Sequence, residues 1–227
     1  MSSNTKKVAV VIGATGNLGT AIVTALKSAG YKIDKTWTSA NHPDARLASS
    51  YKNLPSYIDL AIYVAGINLV KPVHEIEEEE WDKVMDTNLR GAFLFARGAF
   101  AGLKAAKGTF VTITSMNARY PYPNRSAYTT SKAGLEGLTR QLAVEWGEHG
   151  ISTHAIRLGP LNKLMKSTKV NPLILEATKK RLPQHELIPH EAVAKYILML
   201  GDGVAPWVNG AVVDFEAGFT LNAYPLI

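Results

Sequence analysis

Residues Lys7–Gly19 read KVAVVIGATGNLG, an apolar run that breaks into three glycines spaced three apart. Lys7 to Ile12 is short and rich in β-branched residues, as expected of a strand covered on both faces of a parallel sheet. Leu18 to Ser28 has helical spacing, with Ile22, Leu26 and Ala29 expected on one side and Gly30 ending the helix. Between them the glycines let the backbone turn tightly and approach a pyrophosphate, while the helix N-terminus offers unpaired N–H groups and partial positive charge. A tight turn with nothing bound would need the same glycines. The position of this one, straight after a first buried strand and opening a helix, favours a dinucleotide, held by Gly13, Thr15, Gly16, Asn17, Leu18 and Gly19.

The rest of the chain alternates in the same way. Strands are expected at Lys32–Thr38, Ile58–Val64, Thr109–Thr114, Ser152–Ile156 and Ala211–Phe215. A helix begins near Glu77 and carries Trp81, Val84, Met85, Leu89, Phe93 and Phe100, with room for a break on the way. Further helices are expected at Ala127–Trp146 and Ala192–Leu200. Such alternation specifies an α/β fold: a Rossmann-type doubly wound parallel sheet in three α/β/α layers, with residues 1–227 as one domain. The acidic run Glu77–Glu80 reads as a solvated first helical turn. Lys163 to Leu187, rich in Lys and Pro, is the least regular segment and reads either as a cover over the ligand or as a surface excursion.

Composition narrows the partners. Of 227 residues, 46% are hydrophobic and none is cysteine, so disulfides, thiolate metal sites and a cysteine nucleophile are excluded. A cysteine-free chain fits a reducing cytoplasm. No apolar run approaches the roughly 20 residues of a membrane span, and the N-terminal run reads as a first strand rather than a signal peptide. The net charge of +6 suits an anionic partner. The basic residues are scattered, with no stripe of interleaved aromatics, which points to a phosphorylated cofactor rather than nucleic acid.

The second strand says which cofactor. An acidic residue at its end would hold the ribose of NAD(H). Here the chain reads Thr36-Trp37-Thr38-Ser39, with Asn41, His42 and Arg46 following and Asp34 too early. Hydroxyls and a guanidinium can receive a 2′-phosphate that a carboxylate would repel. NADP(H) is therefore expected over NAD(H), with Thr38 and Ser39 among its contacts.

Further along, Ser115, Tyr128 and Lys132 fall within SMNARYPYPNRSAYTTSK, with Tyr128 and Lys132 one helical turn apart. Together with the glycine turn, Ala65-Gly66 after the central strand, Asn88 in TNLRGAF and the closing VNGAVVDFEAGF, this stretch resembles the short-chain dehydrogenase/reductase family over nearly the whole chain. The resemblance implies hydride transfer between NADP(H) and a carbonyl or alcohol substrate. It implies Tyr128 as acid/base, with Lys132 lowering its pKa and binding the nicotinamide ribose. It also implies Ser115 as a hydrogen-bond partner of the substrate oxygen, Asn88 supporting a water-linked proton path, and Ala65, Gly66 and Gly159 lining the cofactor. A homo-oligomer, tetramer or dimer, is implied on the helices carrying Asn88 and Tyr128, with Ala133, Leu135 and Leu138 available to it.

The departures are specific. The glycine pattern has Asn17 where the family's commonest short form has glycine, a spacing closer to nucleotide-sugar enzymes, so an epimerase or dehydratase is an alternative. A non-catalytic NADP(H)-sensing protein is another, although all four catalytic positions are kept. Tyr63-Val64 stands where the family has Asn-Asn, which implies loss of that motif's side-chain hydrogen bonds. Leu158-Gly159-Pro160 replaces the family's Pro-Gly after its sixth strand. The nineteen residues between Thr38 and Ile58 cannot hold a helix, a strand and a second helix. The sheet is therefore abbreviated between the family's strands 2 and 4, with at most one short helix there.

Overall fold

The computed structural model describes residues 6–34, 43–162, 172–203 and 207–222. In chain order the elements are β1 (Val8–Ile12), α1 (Asn17–Ser28), β2 (Lys32–Ile33), β3 (Leu60–Tyr63), α2 (Glu78–Met85), α3 (Gly91–Ala106), β4 (Thr109–Ser115), α4 (Ser126–Trp146), β5 (Ser152–Leu158), α5 (Pro172–Arg181), α6 (His190–Gly201) and β6 (Ala211–Phe215). The strands form one sheet in the order β2-β1-β3-β4-β5-β6, every pair parallel. β1 lies between its two successors, so the chain reverses direction across the sheet there, and open α/β sheets bind their ligands beyond the carboxyl ends of strands at such a point.

Alternation along β1 divides the core in two. Ala9 and Val11 face Leu18, Ile22 and Leu26 of α1 and Val193 and Ile197 of α6. Val10 and Ile12 face Phe95, Ala99 and Leu103 of α3 and Leu135 of α4. Both faces are thus covered, which is why the strands read as continuous apolar runs. Ala29, expected on the buried side of α1, is exposed, and Val23 takes the inner position. Leu135, expected at a subunit contact, is fully buried in this chain's own core.

The abbreviation between β2 and β3 is real. Within 43–57 the only helical element is the single 3-10 turn Ala48–Tyr51, and the sheet passes directly from β1 to β3. The expected break after α2 is a π-turn at Asp86–Arg90 that joins α2 to α3. The acidic run before it is more than a solvated turn: Glu80 accepts from the Glu77 N–H at 3.1 Å and from Lys71 at 2.7 Å. α5 forms inside the segment expected to be irregular, yet none of its residues is buried. No helix among the described residues is long and apolar enough to cross a membrane.

His154 sits in the middle of β5, 2% exposed, with Nδ1 buried and lacking a partner. Burial lowers its pKa from the ordinary value of about 6.5. The folded chain then binds a proton less readily than the unfolded one, so this residue's share of stability is intact above pH ~6.5 and falls away below it, by up to about 1.4 kcal/mol per pH unit. The thermal midpoint of His154→Val should therefore drop less between pH 7 and pH 5 than that of the wild type, by about 2–4 °C. Equal drops would show that His154 titrates freely in the fold.

Candidate active site

The three glycines of the first turn do different work. Gly13 ends β1 with φ +90°, and a Cβ there would lie 2.6 Å from the Ala65 nitrogen, so β1 and β3 close upon each other only with glycine. A Cβ on Gly19 would lie 2.1 Å from the Gly13 carbonyl oxygen, so α1 rests directly on the turn. Gly16 differs: a Cβ there meets only that carbonyl oxygen, at 3.4 Å, and its outer side is open. Gly16 caps α1 without a side-chain hydrogen bond, and no acidic residue stands in the first turn. Those first-turn N–H groups suit a pyrophosphate. Thr15 is exposed beside them, whereas the Leu18 side chain is in the core, leaving only its backbone for a ligand.

β4 runs three residues past Thr112, its pairing partner with Tyr63, and so lifts Ser115 above the sheet edge. The Ser115 hydroxyl accepts from the Asn117 N–H at 3.2 Å and lies near enough to Tyr128, at the start of α4, to favour its phenolate. One turn on, Lys132 is 4% exposed, its Nζ donating to the Ile113 carbonyl at 2.8 Å and lying 5.8 Å from the Tyr128 ring centre. Ile113 is the only hydrogen-bond partner of that ammonium among the described residues, so two donors remain for a ligand.

Asn88 comes from the opposite side on the π-turn and is fully buried. Its Nδ2 donates to the Ile67 carbonyl and to Ser131 Oγ, both at 2.9 Å, and its Oδ1 accepts from the Ile67 N–H at 2.8 Å. A Cβ on Gly66 would stand 3.3 Å from Lys132 Nζ and 3.4 Å from Asn88 Oδ1. Asn88, Ser115, Tyr128 and Lys132 therefore gather around the Ala65-Gly66 end of β3. Gly159 closes the far side, where a Cβ would lie 2.6 Å from that of Glu216.

Electrostatics depart from expectation. Burial raises the Tyr128 pKa, opposed by the nearby Ser115 hydroxyl and the Arg125 guanidinium. Burial lowers Lys132 itself to about 8. Desolvation thus disfavours the charged form of each group. Arg125, one turn before Tyr128, is the cation the sequence reading missed; its spacing from Tyr128 was the available signal.

Tyr63 makes a side-chain hydrogen bond of its own where the family's motif stood. Its hydroxyl donates to the Thr87 carbonyl at the base of the π-turn. Arg46 is held by Asp44 in a two-pronged pair, Nη2 at 2.7 Å and Nε at 3.0 Å. Arg119 faces Asp214 at 3.8 Å, and Tyr120 and Tyr122 of the same loop are exposed. Thr38 and Ser39, and with them Lys163, Leu164 and Met165, lie outside the described residues.

The family model described as enoyl-(acyl carrier protein) reductase matches residues 45–220. The acetoacetyl-CoA reductase of Rhizobium meliloti is 27% identical over 93% of this chain and 98% of its own length. The 3beta-hydroxysteroid dehydrogenase 1 of Eggerthella lenta is 32% identical over 74% of this chain and 65% of its own length. The 2-(R)-hydroxypropyl-CoM dehydrogenase of Xanthobacter autotrophicus is 32% identical over 72% of this chain and 67% of its own length. Among solved structures, gox2181 superposes with a TM-score of 0.86 at 26% identity, covering 95% of this chain and 96% of the other.

Proposed function

The chain belongs to the short-chain dehydrogenase/reductase family, and within it we propose an NADP(H)-dependent oxidoreductase that interconverts a carbonyl and an alcohol, with Tyr128 as acid/base. The observation that carries this reading is the meeting of Asn88 and Lys132 beneath Gly66, with Ser115 and Tyr128 close to each other beside them. A bound nicotinamide supplies or accepts the hydride. The glycine turn, Gly13 to Gly19, holds the phosphates through backbone N–H groups. The two remaining Lys132 donors take the ribose hydroxyls, and Gly159 lines the nicotinamide side. Ser115 donates to the substrate oxygen and orients it toward the Tyr128 hydroxyl. In the reductive direction Tyr128 gives that oxygen its proton; in the oxidative direction it takes one.

Preference for NADP(H) rests on the hydroxyls of Thr38 and Ser39 and the missing carboxylate, because Arg46 is already engaged by Asp44. NADPH should bind more tightly than NADH when both are titrated by fluorescence, and equal or tighter NADH binding would refute the preference. Exposed Phe93 on α3 and Val144 on α4 support a homo-oligomer. The cysteine-free composition supports a cytoplasmic location. The test of the activity is consumption of NADPH with a panel of carbonyl compounds, β-ketoacyl thioesters and ketosteroids included. Tight NADPH binding without turnover across the panel would favour a cofactor-sensing protein.

A further inference from the structure

Tyr63 ends β3 and is fully buried, packed against Phe95 with ring centres 6.2 Å apart. A buried phenol needs an acceptor, and this one finds the Thr87 carbonyl. That carbonyl and the Asn88 N–H belong to one peptide unit, so the hydrogen bond fixes the plane from which the Asn88 Cα–Cβ bond projects. The fit is close: a Cβ on Gly91 would lie 2.2 Å from the Tyr63 hydroxyl oxygen. A second tether holds the same turn from outside, the Arg90 guanidinium donating to the Arg46 carbonyl at 2.7 Å. An α-helix needs no such support, but a π-turn is a departure from helical register that surrounding contacts must hold.

We propose that Tyr63 is a positioning residue: its hydroxyl locks the π-turn so that Asn88 reaches Ile67 and Ser131 and sets the loop and helix that frame the acid/base. This rests on the oxidoreductase reading given above. Burial, with the Asp44 charge second, keeps the phenol above its usual pKa, so it remains a donor throughout the working range.

Tyr63→Phe keeps the ring and removes only the donor, and the fold should survive it. Turnover should fall about tenfold, because small displacements of a catalytic frame are costly, while NADPH affinity stays within about twofold, the glycine turn being untouched. In an Asn88→Ala background, Tyr63→Phe should change kcat by less than about twofold, since residues acting through one another do not add. Multiplying losses in the double variant, or an unchanged kcat in the single one, overturns the proposal. Hydrogen exchange without substrate should be faster at the Thr87–Gly91 amides of Tyr63→Phe, by about fivefold or more, and unaltered in α4. Unchanged exchange at the turn overturns the proposal whatever the rates show. Should the wild type turn over no carbonyl compound, the oxidoreductase reading fails, and exchange alone decides whether Tyr63 holds the turn.

Discussion

Tyr128→Phe is expected to lower turnover by about 10²–10⁴-fold, the range a positioned acid/base contributes, while leaving NADPH binding nearly intact. The two halves follow from different parts of the site. The proposed acid/base is the Tyr128 hydroxyl, beside Ser115, so its loss should remove proton transfer. The phosphates depend on the turn from Gly13 to Gly19, which no part of Tyr128 supports. Lys132→Ala should behave differently. Nζ is anchored to the Ile113 carbonyl with donors to spare, so its loss should weaken cofactor binding as well as turnover. It also leaves a buried space beneath Gly66. Single-turnover hydride transfer and cofactor affinity, measured on both variants, separate the roles. A Tyr128→Phe protein retaining more than about a tenth of the wild-type rate lies outside the range for an acid/base, and the assignment would then be wrong.

Much of this site was legible because its residues sit on elements whose periodicity is strong. The β1 run, the glycine turn and the Tyr128–Lys132 spacing each carry a local signal, and β6 lies where its alternation placed it, Ala211–Phe215. What escaped was set by tertiary contact. The π-turn at Asp86–Arg90 inserts its extra residue without interrupting the apolar pattern, so the sequence shows only a long helix with room for a break. α5 buries no residue and therefore leaves no amphipathic stripe to read. The hydrogen bond of Tyr63 escaped because its acceptor is a backbone carbonyl 24 positions away. The desolvation of Tyr128 and Lys132 escaped for a similar reason. Spacing shows that a lysine is one turn away, but it does not show that burial acts on both groups or that Nζ turns to Ile113. Thr38 and Ser39 remain readings of the sequence.

A buried arginine near the carboxyl end of the strand is the least expected feature of β5, and it leads to the largest stability effect. Arg157 is 7% exposed and Glu136 on α4 is 6% exposed. The guanidinium grips that carboxylate with Nε at 2.9 Å and Nη2 at 2.8 Å, and it also reaches Asp214 on β6. Thr114 completes the Glu136 shell at 3.1 Å. Thr114 precedes Ser115 and Glu136 lies one turn beyond Lys132, so the cluster joins β4, β5, β6 and α4 beside the acid/base. A buried pair gains little over apolar packing, but losing one partner leaves a charge in a poorly hydrated space. Arg157→Met should therefore cost about 3–5 kcal/mol, a large share of the roughly 5–15 kcal/mol that holds a domain together. Asp214→Asn should cost about 1 kcal/mol or less, because Asp214 keeps contact with water. The decisive measurement is the double variant Arg157→Met/Glu136→Leu, compared with Arg157→Met by urea denaturation. Removing both charges should recover at least about 1 kcal/mol relative to Arg157→Met, since the stranded carboxylate is gone. If the double variant is less stable than Arg157→Met, the carboxylate is not stranded when its partner leaves, and water or another cation must reach Glu136 behind the site.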